Sequence, residues 1–574
     1  MKRSNITILL IIIMSLVSTK AIAHDIEVKN SDGITIYYNW INNHQNLAVT
    51  SQSSSQKYSG NVVIPEYVEY EGKIYNVTEI GDHAFSGCKN LSSVTICRNI
   101  TSIGSDAFDS CNGLKSVNVS DIAAWCNISF SRKLISYEKN WYHSSNPLLY
   151  AHHLFLNGKE VTSLIIPDGV KSISSYAFEG CSGLTSVTIP NSVTDIGNQT
   201  FWGCNGLTTI TIPNSVTYIG DYTFYNCSSM TSITIPNSVK YIRDYAFYGC
   251  SNLNSLTIPN SVTYFGKDAL EGTAWYDNQP DGLAYAGLVA YKYKGTMPAN
   301  TDIVIKEGTK SIVYGAFYNC SGMSSITIPN SVHYIGAKAF SGCSGLASVH
   351  ISDIAAWCNI FFELHDVSGF DYCFSNPFLY ANHLYLDGKE ITDLNIPDGV
   401  TSISDYAFKG CNGLTSVTIP NSVTKIGTRA FMDCTNLMTI TIGSGVTSIG
   451  GGAFSNVKSG SLSRTRTEND NLKVFCKAET VPNTPTTAFD KSPIEQGLLI
   501  VPNNAVSAYQ AVAPWNKFGS ILSETEYATS VERVCTDTFD TQIYGLQGNR
   551  LDYFQKGINL IRQKNGKTKK VIMK

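Results

Sequence analysis

Leu184-Thr185-Ser186-Val187-Thr188-Ile189-Pro190-Asn191-Ser192-Val193-Thr194-Asp195-Ile196-Gly197 is the stretch that decides how this chain folds. Val187 and Ile189 alternate with Ser186 and Thr188, the period-2 pattern of a short strand with one buried face. Pro190 has no N–H to give a ladder, so the strand stops there and turns through Asn191 and Ser192. Val193 and Ile196 form a second apolar pair, and Gly197 permits the next corner. Near-copies of the stretch start at Leu207, Met230, Leu253, Met323 and Leu414.

Working outward, the period is 23 residues: Phe178, Phe201, Phe224 and Phe247 keep that spacing, as do Cys181, Cys204, Cys227 and Cys250. The Phe-x-x-Cys pair returns at Phe85/Cys88, Phe108/Cys111, Phe317/Cys320, Phe340/Cys343, Phe408/Cys411 and Phe431/Cys434. A fixed period of this length is the signature of a repeat architecture. Each unit has too few apolar side chains for a core of its own, so stacked units must share one. The expected fold is a β-rich solenoid of about 23-residue coils, with a short helical turn at Ala-Phe-x-x-Cys, hairpin inserts and terminal caps. The ladder cysteines all hold the same coil position beside Phe, where a small apolar side chain suits the interior and stacked Cβ vectors run parallel, which is poor bridge geometry. They are expected reduced and buried. A Cys358–Cys373 bridge is left open, although Cys126 in the matching earlier segment has no such partner. No C-x-x-C pair or His pairing occurs at zinc-ligand spacing, and no metal or cofactor is expected.

The pattern L-x-x-V-x-I-P-x-x-V-x-x-I-G-x-x-A-F-x-x-C resembles the BspA-type leucine-rich repeat, common in surface proteins of Bacteroidetes. It covers most of residues 60–456. It departs from the general leucine-rich consensus: Asn191 follows Ile189 by two residues, so a standard buried asparagine ladder is not assumed. The resemblance implies a non-enzymatic surface protein that attaches to host matrix proteins such as fibronectin and fibrinogen, or to other bacteria.

Composition fits an exported repeat protein. Charged residues are only 15% and the formal net charge is −3, without the basic stripe that nucleic-acid binding needs. Lys2 and Arg3, an apolar run from Ile6 to Val17, and Ala21-Ile22-Ala23 read as a cleaved signal peptide over 1–23. No other stretch is long enough to span a membrane. A β cap is expected over 24–76, repeat blocks over 77–118, 162–270, 308–350 and 392–456, and inserts over 119–161, 271–307 and 351–391. The first and third inserts share Ile-Ala-Ala-Trp-Cys (Ile122–Cys126, Ile354–Cys358), Asn-Pro (Asn146-Pro147, Asn376-Pro377) and a hairpin turn at Asn157-Gly158 or Asp387-Gly388. A segment of about 230 residues thus reads as duplicated. A polar linker (457–473), a divergent closing unit (474–522) and a second linker (523–540) lead to a three-strand module over 541–574. That module resembles the C-terminal sorting domain of the type IX secretion route, with Asn559 where the pattern has an aromatic; the resemblance implies the secretion machinery as a partner.

Catalytic groups do not converge in this sequence. His152-His153 is the only adjacent histidine pair, its counterpart is Asn382-His383, and neighbours in an extended segment point opposite ways. What rises above the architecture is aromatic: Tyr218, Tyr241 and Tyr264; Trp202, Tyr225 and Tyr248; and Tyr176, Tyr222 and Tyr245 fall into three stripes at coil spacing. Such stripes either face a ligand, since Tyr and Trp are rich in contact area, or steady a surface poor in charge. The Ser/Thr face of the strands (Ser186, Thr188 and equivalents) is a second candidate surface. The expected function is binding of an extracellular protein or glycan; the alternatives are an envelope scaffold and, less favoured, a glycan-active enzyme.

Overall fold

Ser186–Thr188 forms the first strand of a coil, with Val187 buried, and pairs in parallel with Thr209–Thr211 of the next coil at a register of one repeat. After Pro190 the chain turns into the two-residue strand Asp195–Ile196. Gly197 follows because a Cβ there would lie 2.4 Å from the backbone nitrogen of Ser175 in the preceding coil. In this computed structural model the described residues are 24–51, 57–136, 141–364, 375–458, 471–537, 542–545, 550–551, 557–562 and 568–573. Among them the chain makes about 18 solenoid turns. Residues 1–23, read as a signal peptide, Cys373 and most of the stretch read as a polar linker lie outside them.

The Ala-Phe-x-x-Cys segment is a run of turns. The N–H groups of Tyr176, Phe178 and Gly180 donate to the carbonyls of Asn198, Thr200 and Trp202 in the next coil. Those of Ala177, Glu179 and Cys181 close turns onto the residue three back. With alternate donors spent on a neighbour, the i→i−4 ladder of an α-helix does not form. The residue two before Phe sits in the left-handed region, with φ of 70° at Tyr176 and 55° at Tyr222 and Tyr245. Short α-helices occur instead in the inserts, as at Ile122–Cys126 and Ile354–Cys358.

The core is a ladder of rings. Phe178, Phe201, Phe224 and Phe247 stack with centroids 5.3–5.7 Å apart. All ten ladder cysteines (Cys88, Cys111, Cys181, Cys204, Cys227, Cys250, Cys320, Cys343, Cys411 and Cys434) are buried and free. The thiols of Cys111, Cys204, Cys227, Cys250, Cys343 and Cys434 each donate to the Phe carbonyl of the coil before, as Cys227 does to Phe201 at 3.2 Å and Cys434 to Phe408 at 3.1 Å.

Two compact units divide the chain, residues 1–295 with 311–316, and residues 296–310 with 317–574. In the first unit, Ile26–Lys29, Thr35–Ile41 and Asn46–Thr50 form an antiparallel cap, and Asn46–Thr50 pairs in parallel with Lys73–Ile80. Gly60–Val63 already pairs in parallel with Leu91–Ile96, so coil structure starts inside the stretch read as cap. The first coil's Phe85 is closed off by Tyr58, whose ring lies 4.7 Å away. At the unit's other end Lys292, on the hairpin Gly282–Ala286/Val289–Lys294, bridges Asp268 at 2.6 Å and Glu271 at 2.8 Å.

The duplicated inserts do not break the ladder; each is one enlarged coil. Leu154–Leu156 pairs in parallel with Ser116–Val119, and Ser129–Phe130 with Ser102–Ile103. The Asn157-Gly158 turn carries φ of 49° and 79°, the left-handed pair that a two-residue hairpin needs. The insert also supplies donors that a preceding coil would otherwise give: Trp125 Nε1 donates to the Ala177 carbonyl at 2.8 Å, and Asn146 Nδ2 to those of Tyr176 and Ala177 at 2.7 and 3.0 Å. In the second unit Trp357 Nε1 does the same for Ala407 at 2.9 Å.

Within the second unit one parallel sheet runs through Asp393–Asn395, Ser416–Ile419, Thr439–Ile442, Lys473–Cys476, Leu498–Val501 and Ser520–Ser523. The ring ladder Phe408, Phe431, Phe454 and Phe489 ends where Trp515 meets Phe489 edge-on at 5.5 Å. The stretch read as a linker, 523–540, contains the helix Glu524–Asp537. Ser523 starts it as a capping box: its hydroxyl accepts from Glu526 N–H, and the Glu526 carboxylate accepts from Ser523 N–H at 2.8 Å. Among the described residues the C-terminal module has four antiparallel strands, Gln542–Gly545, Arg550–Leu551, Gly557–Arg562 and Thr568–Met573, where three were expected. Among the described residues no helix is long and apolar enough to cross a membrane.

Candidate interaction surfaces

Eight of the nine stripe aromatics fall into two groups and Tyr176 stands apart, all in the first unit. Trp202, Tyr222, Tyr225, Tyr245 and Tyr248 merge into one cluster. Tyr222 stacks on Tyr245 at 4.8 Å and Tyr225 on Tyr248 at 5.1 Å, while Trp202 meets Tyr225 edge-on at 5.2 Å. Tyr222 stacks against two rings, Tyr245 and Trp202, the latter at 5.8 Å. Tyr225 is buried, and burial pushes its phenol above the ordinary range. Tyr176 is also buried and does not continue the row, because the coil between it and Tyr222 carries Gln199. These two are therefore removed as ligand-facing residues.

Tyr218, Tyr241 and Tyr264 form a separate row on paired two-residue strands. Tyr218 donates its hydroxyl to Asp195 one coil earlier. Tyr241, at 46% exposure, is the most open of the nine. On the strand face, hydroxyls line up between coils, as in Ser186 Oγ to Ser163 Oγ at 2.8 Å. An open groove of about 740 Å³ crosses this face, lined by Thr209, Thr211, Asn214, Ser232, Thr234 and Asn237. It lies where Thr209–Thr211 and Ser232–Thr234 belong to separate sheets, so the hydroxyl rows are interrupted there.

The strand face of the second unit carries more chemistry. Asp302 accepts the hydroxyls of Ser325 at 2.6 Å and Ser324 at 2.7 Å, which hold its carboxyl below the usual range. Ser348 Oγ lies 3.1 Å from His350 Nε2, and the His350 ring stacks on Tyr385 at 4.6 Å. His383 Nδ1 is 2.5 Å from Glu390 Oε1, and the equivalent pair in the first unit is His153–Glu160 at 2.6 Å. The histidine pair of the sequence thus splits: His153 meets its glutamate, while His152 Nδ1 faces the Gly180 carbonyl at 3.0 Å.

Two arrangements are missed by sequence reasoning. The residue two after the coil's Ile forms a ladder of side-chain acceptors: Asn198 takes the N–H of Asp221, Asp221 that of Asp244, and Asp244 that of Lys267, at 2.8–3.1 Å. Its signal is the recurrence of Asp, Asn or Ser two residues after that isoleucine. Glu179 is 1% exposed with Oε2 unpartnered; burial pushes its carboxyl up to about 8 against the pull of Ser144's hydroxyl and N–H. Among the described residues no group of three or more His, Cys, Asp or Glu side chains is placed to hold a metal ion.

A family model described as BspA type leucine rich repeat region matches residues 71–140, 151–274, 290–367 and 381–481, more than half of the chain. Among solved structures, a leucine-rich repeat protein from Bacteroides ovatus ATCC 8483 is 23% identical, covering 85% of this chain and 98% of its own, with a TM-score of 0.35. A leucine rich cell surface protein from Faecalibacterium prausnitzii A2-165 is 27% identical over 72% of this chain and 94% of its own (TM-score 0.29). A leucine rich repeat protein of T. pallidum is 26% identical over 41% and 86% (TM-score 0.25). No curated protein matches the chain.

Proposed function

The chain belongs to the BspA-type leucine-rich repeat family, and from that premise we propose that it is an exported, non-enzymatic binding protein displayed at the cell surface. One observation carries the reading. The core takes the Phe, Cys, Val and Ile of each coil, while outward side chains stand in register from coil to coil, as Ser186 and Thr188 do with Thr209 and Thr211. A surface repeated in this way suits an extended macromolecule rather than a small molecule in a closed pocket. Partners of that kind are host matrix proteins, mucin, glycans or other bacteria. Of the aromatic stripes, the row of Tyr218, Tyr241 and Tyr264 and the outer edges of Trp202, Tyr222, Tyr245 and Tyr248 remain ligand-facing in this reading. The N-terminal segment 1–23 directs export, and the strand module at the C-terminus addresses the chain to the secretion machinery.

Two measurements test this. Protease shaving of intact cells releases solenoid peptides if the chain is displayed; their absence, with the protein present in lysate, sinks surface display. The mature chain is also titrated against fibronectin, fibrinogen, mucin and an oligosaccharide array. No saturable binding to any of them, together with concentration-dependent oligomers in light scattering, replaces the reading with an envelope scaffold.

A further inference from the structure

The duplicated block provides an internal control, because both copies keep the same strand register. In the first unit Asn61, Ser93 and Ser116 form one outward row, and Thr95, Asn118 and Phe155 another. In the second unit the same places hold Asp302, Ser325 and Ser348, and Thr327, His350 and Tyr385. The inward positions stay aliphatic in both copies: Val94, Val117 and Leu154 against Ile326, Val349 and Leu384. Outward, the serines, the threonine and the His–Glu pair are the same. Three positions differ: Asn61 against Asp302, Asn118 against His350, and Phe155 against Tyr385.

Two of the three differences are not needed by the fold. Asn61 already accepts the Ser93 hydroxyl at 2.9 Å, so a carboxylate is not needed to tie those strands. Phe155 already fills the Tyr385 position, so the phenol hydroxyl adds only polarity at a surface place. In the second unit Asp302 adds charge, Tyr385 a hydroxyl and His350 an aromatic ring to one face. Building on the surface-binding reading, we propose that this face of the second unit is a binding site for a sugar chain, with the His350–Tyr385 ring pair as platform and Asp302, Ser348 and His383–Glu390 as hydroxyl partners.

The chemistry favours a sugar over a cationic partner. A cation would be drawn by unpaired carboxylates, but Glu390 is engaged by His383 and Asp302 by two serine hydroxyls. What remains is a dense set of donors and acceptors beside a flat ring stack. A pyranose presents the complement: a C–H face for the ring and a rim of hydroxyls for the polar groups. At ordinary strand spacing the row from Asp302 to His383 spans about 14 Å, room for roughly two or three sugar rings lying across the strands.

The test uses the full mature chain on a printed array of defined di- to hexasaccharides, with calorimetry on the tightest hit. The variant Asp302→Asn/His350→Asn/Tyr385→Phe installs the residues that the first unit already tolerates. The expected result is at least a tenfold loss of affinity at unchanged Tm. The reciprocal change, Asn61→Asp/Asn118→His/Phe155→Tyr, is expected to add a second binding event. Unchanged affinity in the first variant overturns the site while leaving the binding-protein reading intact. Binding of fibronectin or fibrinogen but of no oligosaccharide overturns the ligand class. Binding of nothing in either panel removes the broader reading, and the inference falls with it.

Discussion

Cys204 Sγ lies 3.2 Å from the carbonyl oxygen of Phe178, one coil earlier, and donates its S–H to it. The same relation links Cys250 to Phe224 and Cys343 to Phe317. Cysteine is the small, largely apolar side chain that also carries a weak donor, so one residue fills the interior and satisfies a buried carbonyl. Replacing Cys204 by Ala is expected to cost about 1–2 kcal/mol, from the lost bond plus a small void. Urea titration of the variant measures it.

The ladder thiols should also be chemically silent. Burial pushes Cys181 and Cys343 up to about 12, and the thiolate is the reactive form. Iodoacetamide at mildly alkaline pH is expected to leave every ladder cysteine unmodified until denaturant is added, as read by peptide mass spectrometry. Labelling of Cys204 or Cys227 in the folded chain contradicts this.

Glu179 makes stability pH-dependent. Its carboxyl holds its proton to about 8 when folded, against an ordinary value of 4.5. Folding therefore binds a proton between those values. The stabilisation is full below the lower one and is lost as the pH rises through the upper. The loss between pH 5 and pH 9 is on the order of a few kcal/mol. Glu179→Gln, neutral throughout, is expected to flatten that part of the profile and to unfold at higher urea than wild type at pH 9. An unchanged slope removes Glu179 as its source.

Asn146 substitutes for a missing coil, donating to two carbonyls and accepting from Leu148 N–H at 2.9 Å. Asn146→Ala strips the Leu148 N–H of its acceptor and takes one of two donors from each carbonyl, since the Glu179 N–H still serves Tyr176 and Trp125 Nε1 still serves Ala177, and is expected to cost about 2–4 kcal/mol. Asn376→Ala should behave alike, since Asn376 also accepts from the amide two residues on, Phe378 at 2.8 Å. Calorimetric unfolding of both variants checks the prediction; a surface-like change below about 0.5 kcal/mol in either refutes it.

Tyr225 and Tyr241, at different coil positions, should part ways. Tyr225→Ala empties a buried, stacked position and is expected to destabilise by about 2–4 kcal/mol. Tyr241→Ala, at an open position, is expected to stay within about 0.5 kcal/mol of wild type while weakening partner binding. Chemical denaturation and a binding titration on the same two variants separate the roles.

Most of the architecture is legible in the sequence, because a solenoid coil repeats its own constraints. Val187, Pro190, Phe178 and Cys181 recur at one period, and each is demanded by contacts within a coil or with its immediate neighbour. The left-handed place at Tyr222 and Tyr245 is hidden, since residues of every kind stand at equivalent positions, from His83 and Asp106 to Arg429. What holds it is hydrogen bonding to the next coil, which carries no residue preference. The acceptor ladder of Asn198, Asp221 and Asp244 has a faint signal that composition hides in a chain so rich in Asp, Asn and Ser.

The sequence by itself determined the coil, its stacking and the inward place of nearly every aliphatic and Phe side chain, because burial repeats with the period. Tertiary structure alone decided which aromatics remain open. Tyr176 and Tyr225 look like Tyr241 in a row of letters, yet the first two are buried and the third is exposed. Only the fold brings Asp302, His350 and Tyr385 onto one face, since they come from three strands spread over 84 positions. Strand pairing between coils converts that separation into adjacent rungs. Local sequence carries no mark of it.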